Sequence, residues 1–87
     1  MRSVILHKHF EKKYSKLSKK IKDVFKERRD LFLEDANNYL LGVHMLQGEY
    51  KGYKSFNVNG DVRVIYKEIG KEVFLFVDIG THGELYS

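Results

Sequence analysis

The apolar residues of this 87-residue chain change their spacing near residue 35, and this change limits the folds that the chain can adopt. Before that point apolar residues recur every three or four positions, which predicts amphipathic helices. After residue 50 they alternate or form short runs, which predicts β-strands. Helices followed by a run of strands are typical of an α+β fold, in which we expect the helices to cover one face of an antiparallel sheet.

The first part of the chain predicts one strand and two helices. A short apolar run over residues 3–8 predicts an opening strand. Phe10, Tyr14 and Leu17 then form one helical stripe. Ser18 is a typical N-cap residue, so we expect a break there and a second helix that ends near residue 35. The two helices should form an antiparallel hairpin; a single helix running through Ser18 is the alternative.

The second part of the chain predicts a meander of three strands. Asn59-Gly60 lies between two alternating runs, which is a strong signal for a tight hairpin. We expect the order β-α-α-β-β-β, with the opening strand paired to a strand of the meander, in a single domain over residues 1–87. The predicted bounds are 53–58 and 61–67 for the hairpin and 72–79 for a buried strand that Gly80 ends, with 36–48 irregular and 81–87 a tail.

A two-residue turn at Asn59-Gly60 would fix the register of the hairpin. Phe56 would lie opposite Arg63, and Lys54 would share that face of the sheet, because directly opposed residues point to one side. An arginine in mid-strand among apolar neighbours, with a lysine nearby, predicts a phosphate-binding site. A solvent-facing arginine without a role is the alternative.

Composition excludes several classes of function. The chain has no cysteine, which rules out disulfide scaffolds and thiolate chemistry and favours the cytoplasm. Its glycines form no nucleotide-binding motif, so no cofactor is implied, and His7 with His9 is too small a set for a metal site.

The net charge is +4, and most lysines and arginines precede Asp35. Such basic helices suit an acidic or polyanionic partner, or are a solvated surface.

Two histidines flank the strands and suggest acid–base chemistry. His44 and His82 each lie near loop glycines, and histidine exchanges protons near neutral pH; a surface or capping role is the alternative. Together with Arg63 they supply a base, an acid and a cation, the parts needed to cleave RNA without a metal. Three tyrosines near loops or the chain end have rings that could stack on RNA bases: Tyr50, Tyr53 and Tyr86.

Three segments resemble motifs of the RelE/ParE toxin superfamily, and of its YafQ-like members in particular. Residues 44–54 resemble H-x-L-x-G-x-x-x-G, residues 59–67 resemble G-D-x-R-x-x-Y, and residues 78–86 resemble a closing G-T-H-x-x-L-[FY]. The resemblance implies a fold like that of microbial ribonucleases and a toxin of a type II toxin–antitoxin pair. It implies a metal-independent endoribonuclease, an mRNA interferase, that cleaves mRNA on the ribosome through 2′-hydroxyl attack. It also implies a cognate antitoxin as partner.

Carried over position by position, the resemblance implies a set of site residues. His82 would be a general acid or base, Arg63 would stabilise the phosphorane, and His44 would assist proton transfer. Tyr86 would stack on a base. The implied catalytic positions are His44, Asp61, Arg63, His82 and Tyr86, and the implied RNA or phosphate contacts are Lys51, Lys54 and Asn57.

The sequence departs from the YafQ-like pattern at two positions. Asn57 stands where such sites often have a histidine, and asparagine can donate or accept hydrogen bonds but cannot act as a base. Val62 stands where they often have tryptophan. Two other functions therefore stay open: a non-catalytic toxin resembling the ParE branch, which binds DNA gyrase, and a binding module that acts only through protein contacts.

Overall fold

Residues 1–86 are described by a computed structural model, in which they form three helices and a five-stranded sheet. Two short 3-10 turns, Tyr39–Leu41 and Gly48–Tyr50, flank the second strand. Within these residues no helix combines the length and the apolar character needed to cross a membrane. The elements in chain order are β1 (Ser3–Leu6), α1 (Lys8–Ser15), α2 (Lys19–Glu34), β2 (His44–Met45), β3 (Lys54–Asn57), β4 (Val62–Gly70), β5 (Val73–Thr81) and α3 (His82–Tyr86).

The strands lie in the order β1-β5-β4-β3-β2. The predicted α+β class is confirmed, and the opening strand pairs with the last strand of the meander. That pairing is parallel, whereas β2 to β5 pair antiparallel, so the sheet is mixed. The helices between β1 and the meander allow the parallel pairing, because a parallel connection needs a long crossover.

Two separate helices follow β1, as the break at Ser18 predicts. The Ile21 N–H donates to Ser18 Oγ at 3.2 Å, which satisfies one of the free donors at the start of α2. The rings of Phe10 and Phe25 lie 5.5 Å apart and join α1 to α2.

The core lies between α2 and one face of the sheet. Phe32 is fully buried, and its ring lies 4.9–5.4 Å from four aromatic rings of the sheet. Three of these four contacts are edge-to-face and one is stacked, and both geometries add to the stability gained from burial. Helices α1 and α2 thus cover one face and leave the other for the site. The four rings belong to Phe56, Tyr66, Phe74 and Phe76.

Several predicted bounds are wrong. The segment predicted as irregular contains the Tyr39–Leu41 turn and β2, because His44 and Met45 pair with β3. Gly80 does not end the last strand; it pairs with Arg63 inside β5. The predicted tail forms α3 up to Tyr86, and residue 87 lies outside the described residues.

The predicted register of the hairpin is wrong by one residue. Asn57, not Phe56, lies opposite Arg63. The side-chain oxygen of Asn59 accepts the N–H groups of Asp61 and Val62, each at 2.8 Å, which makes the connection longer than a two-residue turn. A shift of one residue moves every side chain to the opposite face. Lys54 therefore pairs with Tyr66, on the face opposite Arg63, and the predicted joint phosphate site is not formed.

The Tyr66 phenol should make stability depend on alkaline pH. Burial, with a smaller effect of Glu68, raises the pKa of Tyr66 from 10.0 to about 12. Between those pH values the unfolded chain releases this proton and the folded chain retains it, so the unfolding free energy falls as pH rises. The loss is about 2–3 kcal/mol. Urea unfolding from pH 9 to pH 12 should show a steeper loss for wild type than for Tyr66→Phe; parallel profiles would contradict this.

Candidate active site

A cleft of about 270 Å³ lies on the sheet face that α1 and α2 leave uncovered. It collects side chains from four separate elements, β2, β3, β4 and α3, together with the loop after β2. Four of the five residues predicted as catalytic line it: His44, Arg63, His82 and Tyr86.

Strand pairing sets the floor of this cleft. His44 of β2 lies opposite Ser55 of β3, and Arg63 of β4 lies between Asn57 and Gly80. Directly opposed residues share a face, so Ser55, Asn57 and Arg63 point away from the aromatic core. No ion pair within residues 1–86 involves Arg63, so its guanidinium is available to an external anion.

A reciprocal cap begins α3 and holds its two site residues. The Glu84 N–H donates to Thr81 Oγ1 at 3.2 Å, and the Thr81 N–H donates to Glu84 Oε1 at 2.8 Å. Hydrogen bonding from the Thr81 backbone N–H, with a smaller effect of the Thr81 side chain, holds the pKa of the Glu84 carboxyl below its usual range. Because His82 and Tyr86 are four residues apart, they lie on one side of the helix, with their rings 4.8 Å apart.

Glycines allow two close approaches at this site. A Cβ at Gly80 would lie 3.2 Å from both Glu84 Oε1 and Lys13 Nζ, so a side chain there would displace the ends of these two side chains. A Cβ at Gly42 would lie 2.5 Å from Asn57 Nδ2, and the φ of Gly42 is +56°. A side chain there would both displace the Asn57 amide and strain the backbone.

Three buried polar atoms around the cleft have no hydrogen-bond partner among residues 1–86. They are Asn57 Oδ1, Arg63 Nε and Tyr86 Oη. Buried polar groups in proteins are nearly always hydrogen-bonded to protein or to ordered water, so these three atoms have capacity left for water or for a polar ligand. A hydrogen-bond acceptor of a ligand beside Arg63 Nε and a hydrogen-bond donor beside Asn57 Oδ1 would satisfy two of these three atoms.

Four predicted residues are not among those that line the cleft, although one of them, Asn57, pairs with Arg63 on the same sheet face. Asp61 is exposed in the β3–β4 connection, and Lys51 is exposed in the loop before β3. Lys54 is exposed on the opposite sheet face. Within residues 1–86 no group of three His, Asp or Glu side chains is arranged to hold a metal ion.

Sequence reasoning missed two contributors to the site. Ser55 is almost fully buried and lines the cleft, a position that follows from the register once β3 is shifted by one residue. The other is the capping box T-x-x-E at Thr81–Glu84, which is a readable signal for a helix start. It predicts α3, and with it the approach of His82 to Tyr86.

Comparison with solved structures supports the fold. The chain matches YafQ from E. coli strain BL21(DE3) with a TM-score of 0.79 and 25% identity, over 100% of both chains. It matches the E. coli DinJ-YafQ complex with a TM-score of 0.77 and 26% identity, again over 100% of both chains. The YoeB-YefM toxin-antitoxin complex from Staphylococcus aureus shares the fold, with a TM-score of 0.74 and 15% identity over 94% of this chain and 98% of that one. No curated protein sequence matches the chain.

The mixed sheet, the helices on one face and the cleft on the other define a RelE-like toxin. Residues 2–87 match the family described as the bacterial toxin of type II toxin–antitoxin systems, YafQ. The chain therefore belongs to the YafQ family.

Proposed function

We propose that this toxin is an endoribonuclease, an mRNA interferase, that cleaves mRNA on the ribosome without a metal ion. The observation that carries the proposal is the meeting of His44, Arg63, His82 and Tyr86 in one cleft. Proton-transfer groups beside an unpaired guanidinium suit phosphodiester cleavage by an internal nucleophile. Since the substrate is on the ribosome, the proposed site of action is the cytoplasm.

The reaction begins with the 2′-hydroxyl of the nucleotide on the 5′ side. One histidine takes the hydroxyl proton as the oxygen attacks the phosphorus, and the bond from phosphorus to the 5′-oxygen breaks. The second proton-transfer group gives a proton to that leaving oxygen. The products are a 2′,3′-cyclic phosphate and a free 5′-hydroxyl. His82 is the main acid or base, and His44 assists.

Arg63 and Tyr86 act on the substrate without transferring protons. Arg63 donates forked hydrogen bonds to the phosphate oxygens, whose charge grows in the transition state. Tyr86 supplies a ring for a base, because unstacked bases of single-stranded RNA bind aromatic side chains. Asn57, beside Arg63, serves as a hydrogen-bonding group where YafQ-like sites often have a histidine.

The proposed protein partner is a cognate antitoxin. The relatives in two of the matched structures are bound to antitoxins, DinJ in one and YefM in the other. The proposed role of the lysine-rich helices is to hold the toxin on ribosomal RNA, since exposed lysines bind phosphates without sequence preference.

A toxin that acts only through protein contacts is the second candidate. The replacement of a histidine by Asn57 favours it, because asparagine cannot transfer a proton. The unpaired Arg63 favours the nuclease, since a buried polar group without a partner is costly unless a ligand uses it.

Cleavage on programmed ribosomes tests the nuclease proposal. Purified toxin is added to ribosomes carrying a defined mRNA, with Mg²⁺ kept at the level the ribosome needs, and new 5′ ends are mapped. We expect cuts with 5′-hydroxyl and cyclic phosphate ends, and none when the nucleotide at the cut carries 2′-O-methyl. Lys71→Ala, an exposed change in the β4–β5 turn, is the control and should cut like wild type. Absence of cuts with wild type would reject the nuclease.

A further inference from the structure

A second cleft, of about 470 Å³, lies on the same sheet face as the candidate active site. Its floor is apolar and half-buried, made by Leu75 and Val77 of β5. Its walls carry rings and polar groups that the proposed reaction does not use. They include His7, His9, Tyr50, Tyr53, Lys67 and Asp78.

A row of rings joins the two clefts. Tyr86 lines the catalytic cleft, and its ring lies 6.1 Å from that of Tyr50, which lines the second cleft. Tyr50 in turn lies 6.1 Å from Tyr53. A third depression is lined by both Tyr50 and Tyr86, so it adjoins both clefts. A nucleic-acid strand bound at His82 therefore has the second cleft within reach along the same sheet face.

The second cleft offers one cation to a phosphate, and one of its two carboxylates is already paired. Lys67 Nζ lies 5.0 Å from the centre of the Tyr53 ring and takes part in no ion pair within residues 1–86. The Asp78 carboxylate is offset by Lys13 Nζ at 2.7 Å and faces His9 Nε2 at 3.4 Å. Glu49 is the other carboxylate at the rim, and it is exposed.

We propose that the second cleft binds a nucleotide of the same RNA strand, next to those that flank the scissile phosphate. The base lies against Tyr50, Tyr53 and the apolar floor, and its phosphate meets Lys67. Single-stranded nucleic acid is commonly held by such a combination of rings and cations. The proposal rests on the proposed nuclease function. It implies that the toxin binds a single-stranded RNA segment longer than the dinucleotide that it cleaves.

The test compares cleavage by two cleft variants, Tyr53→Ala and Lys67→Met, on programmed ribosomes. Loss of base stacking should raise the KM for Tyr53→Ala by about 5- to 100-fold. The maximal rate should change much less, because a remote subsite binds substrate and transition state alike. Lys67→Met keeps the aliphatic stem and should raise KM while weakening its dependence on salt. Matched controls are Tyr39→Ala and Lys71→Met, exposed residues outside both clefts.

A crosslinking experiment keeps the proposal testable if a variant folds poorly. The mRNA carries 2′-O-methyl at the cut site, so that wild-type toxin binds without cleaving, and 4-thiouridine at one flanking position at a time. We expect one flanking position to crosslink to the Tyr50–Tyr53 segment.

If wild type cleaves mRNA but no position crosslinks there and both variants keep the wild-type KM, the subsite is rejected and the nuclease stands. If Tyr53→Ala loses antitoxin binding and leaves KM unchanged, the cleft binds protein. If wild type does not cleave at all, the nuclease proposal fails, and with it the subsite.

Discussion

Replacing His82 with alanine is expected to lower the rate of mRNA cleavage by ~10²–10⁴-fold, the usual contribution of a group that transfers a proton. His82 is exposed in the first turn of α3, with its ring 4.8 Å from Tyr86. Because exposed side chains rarely affect stability, the unfolding free energy should change by less than about 0.5 kcal/mol. Single-turnover cleavage on programmed ribosomes and urea unfolding measure the two effects.

Thr81→Ala is the matched control for this experiment. It removes the hydroxyl that accepts the Glu84 N–H, and it changes none of the residues that line the cleft. It should cost about 1 kcal/mol of stability and lower the rate only modestly, because α3 begins less firmly. Wild-type cleavage by His82→Ala would remove this histidine from the mechanism. A large loss of stability in that variant would instead give His82 a structural role.

Local signals in the sequence were sufficient for the first two helices. The spacing of Phe10, Tyr14 and Leu17 and the cap at Ser18 depend on neighbours within one or two turns, and the structure has both helices there. The class of fold followed, since an amphipathic helix must bury its apolar side against a sheet or another helix. The parallel pairing of β1 with β5 joins residues about 70 positions apart, and no local signal specifies its direction.

Which side chains meet in the site depends on details of the fold that the sequence pattern does not resolve. Asn59-Gly60 indicates a hairpin, but the register depends on whether the Asn59 side chain accepts backbone N–H groups, which lengthens the connection. That one-residue difference decides whether Arg63 shares a face with Lys54 or with Asn57. The sequence motif of the cap at Thr81 predicts where α3 begins. The place of Tyr86 in the cleft also depends on how α3 packs against β5, which the motif does not specify.

Arg63 lowers the stability of the fold, and its proposed contact with the RNA phosphate would explain this cost. Its Nε is buried without a partner in residues 1–86, and its neighbour Asn57 has a buried oxygen in the same condition. Buried polar groups are nearly always hydrogen-bonded to protein or to ordered water, so both atoms have capacity left for water or for a group of the substrate. Unsatisfied groups at a cleft are typical of a site that is arranged for a ligand at the expense of stability.

Replacing Arg63 with methionine is therefore expected to separate activity from stability. Cleavage should fall by ~10²–10³-fold, the usual effect of losing one donor to the charge that develops in a transition state. The unfolding free energy should stay level or rise by about 1 kcal/mol, because methionine keeps much of the packing and removes a buried unpaired donor. Arg63→Lys should recover part of the activity, since it restores the charge but not the forked donors. Cleavage on programmed ribosomes and urea unfolding test both effects; a stability loss above about 2 kcal/mol for Arg63→Met would show that the guanidinium supports the fold instead.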